Sequence, residues 1–154
     1  MNFFRRLFKR KPTVQCPRCL GKGRVDWDDI KRLGKELKWG PGRCAYCNGA
    51  GKVDPALMSK VAVGETYLTT NLPYAERKGV IDGNPQVLER MLAYNKNIDL
   101  VIQQIRELYY IKNLDAGEIA DLLLESFPTD RIAAYKDEKR ELLGYIERVI
   151  AHKK

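Results

Sequence analysis

Every cysteine in the chain belongs to one of two copies of an eight-residue pattern, Cys16-Pro17-Arg18-Cys19-Leu20-Gly21-Lys22-Gly23 and Cys44-Ala45-Tyr46-Cys47-Asn48-Gly49-Ala50-Gly51. Both read C-x-x-C-x-G-x-G. Thiolates are soft ligands, and two C-x-x-C turns brought together supply the four that tetrahedral zinc takes, with none left over. Cys16, Cys19, Cys44 and Cys47 are therefore the expected ligands of one Zn²⁺ per chain. Gly21, Gly23, Gly49 and Gly51 are expected at the knuckle turns, where the backbone bends around the metal and glycine takes a left-handed φ at least cost. A redox dithiol is the competing chemistry, but it takes one C-x-x-C in a strand-to-helix setting. A closed set of four cysteines holds a fold together, whereas a catalytic zinc keeps one position open for water. No Ser-His-Asp set and no phosphate-cradling glycine loop accompanies the cysteines, and the one histidine, His152, has no candidate nucleophile near it. No catalytic residue is expected, and no enzyme.

Four elements must position these residues. With 154 residues, 44 % of them hydrophobic, the chain can bury a core in at least part of its length. Residues 1–13 form a basic segment in which Phe3, Phe4, Leu7 and Phe8 fall on one side of a helix and Arg5, Arg6, Lys9 and Arg10 largely on the other. That pattern suits a frayed basic terminus, an anchor on anionic lipid, or a docking helix. Residues 14–54 are the zinc-knuckle module. Between its knuckles Asp26 caps a helix carrying Ile30, Leu33 and Leu37, which runs up to the Gly40-Pro41-Gly42 breaker. Residues 55–84 open with a short helix from Asp54-Pro55 to Ala62, then lose periodicity in a linker or an ordered loop laid across the next domain; Tyr67, Leu68, Leu72 and Tyr74 favour packing over free solvation. Residues 85–154 are helical by pattern, with a capping box at Asp115 and Glu118 and a last helix capped by Thr129 after Phe127-Pro128. The fold class expected is mainly α: a small four-cysteine module with an inserted helix, then a C-terminal bundle of three or four helices.

Charge narrows the partners. Residues 1–54 hold fourteen basic and five acidic residues, and residues 55–154 fourteen and fifteen, so the whole basic excess lies with the cysteines. Arg18, Lys22, Arg24, Lys31, Arg32, Lys35, Lys38, Arg43 and Lys52 mix there with Trp27, Trp39 and Tyr46, and Lys31, Lys35 and Lys38 fall on one face of the inserted helix. Such a surface serves a protein partner, or a nucleic acid through phosphate contact and base stacking. The two tryptophans either pack on the knuckles as a miniature core or contact the partner. Leu114 to Leu123 looks like the first helix of a helix-turn-helix, but residues 113–140 carry seven acids and four bases, the wrong sign for a DNA-reading surface. Metal-binding cysteines suit a reducing compartment, and neither a signal-peptide core nor a membrane span is visible. The expected location is cytoplasmic, with peripheral contact at the inner face of the membrane through residues 1–11 as the variant.

Over about residues 14–53 the knuckle pair resembles the cysteine-rich domain of the DnaJ family, whose signature is C-x-x-C-x-G-x-G. In that family four copies build two zinc sites, and the domain binds unfolded polypeptide and assists a DnaK-type chaperone. The resemblance implies zinc ligation by Cys16, Cys19, Cys44 and Cys47 and, more weakly, affinity for polypeptide. This chain has two copies, a helical insert and no His-Pro-Asp tripeptide, so recruitment of a DnaK-type partner through a J domain is not expected. The function expected is that of a non-enzymatic zinc-binding adaptor that meets a protein or an unfolded polypeptide; the alternative is nucleic-acid binding by the basic knuckle surface.

Overall fold

The structure, a computed structural model, describes residues 11–126 and 132–152. Among the described residues six helices and two small sheets make it mainly α. The elements are β1 (Val14–Gln15), β2 (Arg24–Val25), α1 (Trp27–Arg32), β3 (Gly42–Arg43), β4 (Lys52–Val53), α2 (Pro55–Lys60), α3 (Tyr74–Asp82), α4 (Pro85–Tyr110), α5 (Ala116–Glu125) and α6 (Ile132–Ala151). The amphipathic segment before Lys11 and the Phe127-Pro128-Thr129 stop and cap lie outside the described residues.

Both sheets are two-residue antiparallel ladders that flank the knuckles. β1 pairs with β4, Val14 facing Val53 and Gln15 facing Lys52; β2 pairs with β3, Arg24 facing Arg43 and Val25 facing Gly42. Strands this short hold only because something else fixes their ends. Here the ends are the cysteine turns themselves.

The inserted helix starts where expected and stops early. Asp26 and Asp29 form a reciprocal capping box, and Lys22 Nζ reaches both carboxylates at 2.6 and 2.7 Å. That ammonium, together with the Asp29 amide, holds the Asp26 carboxyl down to about 2. At the other end Gly34 takes φ +67°, its amide bonds Lys31 O, and the Lys35 amide reaches back to Ile30 O. This is the Schellman arrangement, which closes α1 after six residues. Lys35 and Lys38 therefore lie in turns beyond the helix, and the expected three-lysine helical face does not form.

Residues 62–73 are an ordered loop, packed against the cysteine module that precedes them. Leu68 is 1 % exposed and joins Val25, Tyr46, Val53, Leu57 and Val61 in one apolar cluster. The cluster continues through Val80 of α3 into Val87 of α4, with Met91 packed against it. The contact is close: a Cβ on Gly79 would sit 2.5 Å from Val87 Cγ2. Gly83 at φ +72° ends α3, and Asn84 Oδ1 accepts from the Gln86 and Val87 amides to start α4. The chain consequently falls into two compact units that part between Tyr94 and Asn95, within α4. The first turns of α4 belong to the first core.

In the second unit the Asp115–Glu118 capping box opens α5 with both reciprocal bonds in place. Ile119, Ala120, Leu123 and Leu124 are its buried face, and Ile146 and Val149 of α6 are fully buried. Arg106 and Tyr110 donate to His152 O and Ile150 O, which ties the end of α4 to that of α6. Among the described residues no helix is long and apolar enough to cross a membrane.

Candidate metal centre

The four cysteine Sγ atoms lie within 4.8 Å of one another. Cys16, Cys19 and Cys44 are 0 % exposed and Cys47 is 6 %. The gaps across the two knuckles, Cys16 to Cys44 and Cys19 to Cys47, are both 3.8 Å. A tetrahedron with metal–sulfur bonds of about 2.3 Å has an edge of about 3.8 Å, so these four donors could hold one metal ion. Burial pushes the Cys16 thiol up to about 11 and Cys44 further still. Both must give up their protons to bind a cation.

The knuckles are built alike, and each closes the other. The Cys16 amide bonds Gly51 O, and the Cys44 amide bonds Gly23 O. Gly23 N donates to Cys19 Sγ and Gly51 N to Cys47 Sγ, both at 3.2 Å, so that each knuckle aims one amide at its second sulfur. That bond and the burial of Cys47 oppose each other, and the hydrogen bonds win, leaving its thiol below the ordinary range. All four pattern glycines have positive φ. Gly23 and Gly51 need it most: a Cβ there would stand 2.6 Å from Gly49 O and 2.5 Å from Gly21 O, each glycine meeting the opposite knuckle.

Around the thiols the structure parts from several sequence expectations. Arg18, Trp39 and Tyr46 are buried, at 2 %, 7 % and 0 % exposure, and so leave the expected partner surface. Arg18 is the reason. Its guanidinium donates to three backbone carbonyls, Val63 O at 2.8 Å, Glu65 O at 3.1 Å and Leu68 O at 2.7 Å. It also lies 4.2 Å from the Trp39 ring centroid and 5.4 Å from that of Tyr46. Trp39 in turn donates to Thr66 O and Tyr46 to Val61 O. An arginine between two cysteines thus straps residues 61–68 onto the knuckles. Burial works against its charge, and the Cys44 and Cys16 sulfurs act in the opposite sense to retain it. Among the described residues no carboxylate bonds this guanidinium, and an anionic metal–thiolate group would be its counter-charge.

The remaining surface candidates divide. Trp27 is 42 % exposed. Arg24, Lys31 and Arg43 are exposed, Lys35 donates to Thr66 Oγ1, and Lys38 is half-buried. Lys22 is held by Asp26 and Asp29, and Arg32 by Arg18 O, Pro17 O and Asp29. Arg77, which no sequence motif marks, donates through Nε and Nη2 to Ala45 O and Tyr46 O and fixes the second knuckle from α3. Backbone carbonyls carry no residue signature, so spacing could not have revealed that clamp. No protein-family model matches the chain, nor does any curated protein or solved structure.

Proposed function

We propose that Cys16, Cys19, Cys44 and Cys47 bind one Zn²⁺ whose role is structural, and that the unit it nucleates is a non-enzymatic adaptor for another protein. The observation that carries this is the burial of all four sulfurs within 4.8 Å of one another. A centre so enclosed leaves no position for substrate or water, so the metal would supply folding free energy and nothing chemical. The resemblance to the DnaJ cysteine-rich element agrees with one zinc and four cysteine ligands, and affinity for polypeptide is the part of that family's behaviour this reading retains.

A protein partner is preferred over nucleic acid for a specific reason. Base stacking needs accessible aromatic faces, and two of the three on the basic module, Trp39 and Tyr46, are committed to Arg18 and the 61–68 segment. The test pairs metal analysis with capture. Purified chain should carry one zinc, and partner recovery from lysate should survive nuclease and change little between low and moderate salt. Recovery abolished by nuclease, with a steep salt slope, would give the surface to nucleic acid instead.

A further inference from the structure

Beside the second knuckle lies an open cavity of about 310 Å³. Its floor is apolar: Val53 and Leu57 are buried and Ile81 packs against the same cluster. Its rim carries Lys52, Lys60 and Arg77. Neither lysine forms an ion pair with a described residue, and both are exposed. Arg77 spends two nitrogens on backbone carbonyls, and its charge meets no carboxylate among the described residues. The one acid on the rim, Asp54, is engaged in capping α2 through the Ala56 amide. Three cations over an apolar floor select a ligand that is anionic and apolar at once.

Resting on the adaptor reading above, we infer that this groove docks an acidic peptide segment of the partner, with one large apolar side chain seated on Val53, Leu57 and Ile81 and carboxylates paired to Lys52 and Lys60. Volume favours this occupant, since a pocket of a few hundred Å³ takes one or two side chains and not a folded surface. Charge complementarity sets the sign. A strand of nucleic acid meets the cations but finds no stacking face, because Tyr46, the aromatic residue in the lining, is fully buried with its hydroxyl on Val61 O.

The test uses the full zinc-loaded chain and a fluorescein-labelled peptide rich in glutamate and leucine, read by fluorescence anisotropy. Companion probes replace leucine with serine, replace glutamate with lysine, or are a labelled single-stranded oligonucleotide. The glutamate–leucine peptide should bind, and both altered peptides should lose about tenfold or more. Lys52→Glu and Lys60→Glu should each weaken it about tenfold, while Lys31→Glu on α1 should change it less than about twofold. Absence of binding, equal loss in Lys31→Glu, indifference to leucine, or preference for the oligonucleotide would each overturn the assignment. So would a dimer of the chain that Lys60→Glu dissolves, which would give the groove to a second copy. These outcomes leave the metal reading intact, because zinc content is measured on the same samples and fails independently.

Discussion

Replacing Arg18 with methionine keeps an unbranched stem between Trp39 and Tyr46 but removes three charge-assisted hydrogen bonds to the 63–68 backbone. Bonds to charged groups contribute roughly 1.5–3 kcal/mol each when one partner is deleted. Val63 and Glu65 are half-buried and their carbonyls regain water in part, whereas Leu68 is 1 % exposed. The net loss expected is about 3–5 kcal/mol, a large share of the roughly 5–15 kcal/mol typical of a domain. Urea unfolding of the zinc-loaded chain, followed by circular dichroism, measures it. Hydrogen exchange should localise it, with the amides of Glu65, Leu68 and Thr69, which close turns in this segment, exchanging faster while α5 is unchanged. Arg18→Lys retains the charge, but an ammonium cannot lie flat between two rings while reaching three carbonyls, so it should restore less than about half of the loss. A destabilisation under about 1 kcal/mol, or unaltered exchange at residues 63–69, would refute the strap.

Four further outcomes are expected. Cys16→Ser or Cys44→Ser should release zinc and unfold the knuckles while the helices after Asn95 persist, read as metal content and residual ellipticity; full zinc retention would contradict the ligand set. Gly23→Ala or Gly51→Ala should cost roughly 2–4 kcal/mol, from a left-handed φ and a Cβ within 2.6 Å of a backbone oxygen, measured by thermal unfolding. Because zinc displaces protons from its thiols, retention should fall as pH falls, and a chelator competition at two pH values should show weaker binding at the lower one. Asp115→Ala removes the cap of α5 and should destabilise the second unit by about 0.5–2 kcal/mol, seen as a lower Tm with zinc content unchanged.

The features that local chemistry controls could be read from the sequence. The cysteine spacing led to four clustered sulfurs, and the Asp26 and Asp115 caps sit at the helix starts they mark. The apolar stripe Ile30, Leu33, Leu37 carried the expected helix past Gly34, where the Schellman turn closes it. What escaped was long-range and made of backbone. Arg18 looked like one cation among nine because its partners are carbonyls some 45 to 50 residues away, and a carbonyl is the same in every residue. For the same reason residues 64–84 could be assigned to packing but neither to the correct side nor, over Tyr74–Asp82, to a helix, and Val87 and Met91 could not be seen to complete the first core before the second.

X-ray absorption at the zinc edge on the purified chain, with metal quantified on the same sample, is the most direct check of a structural four-cysteine centre. One zinc per chain in a shell of four sulfurs at about 2.3 Å is the predicted result. Fewer than four sulfurs, a light-atom ligand in the shell, or a stably folded chain that carries no metal would contradict it.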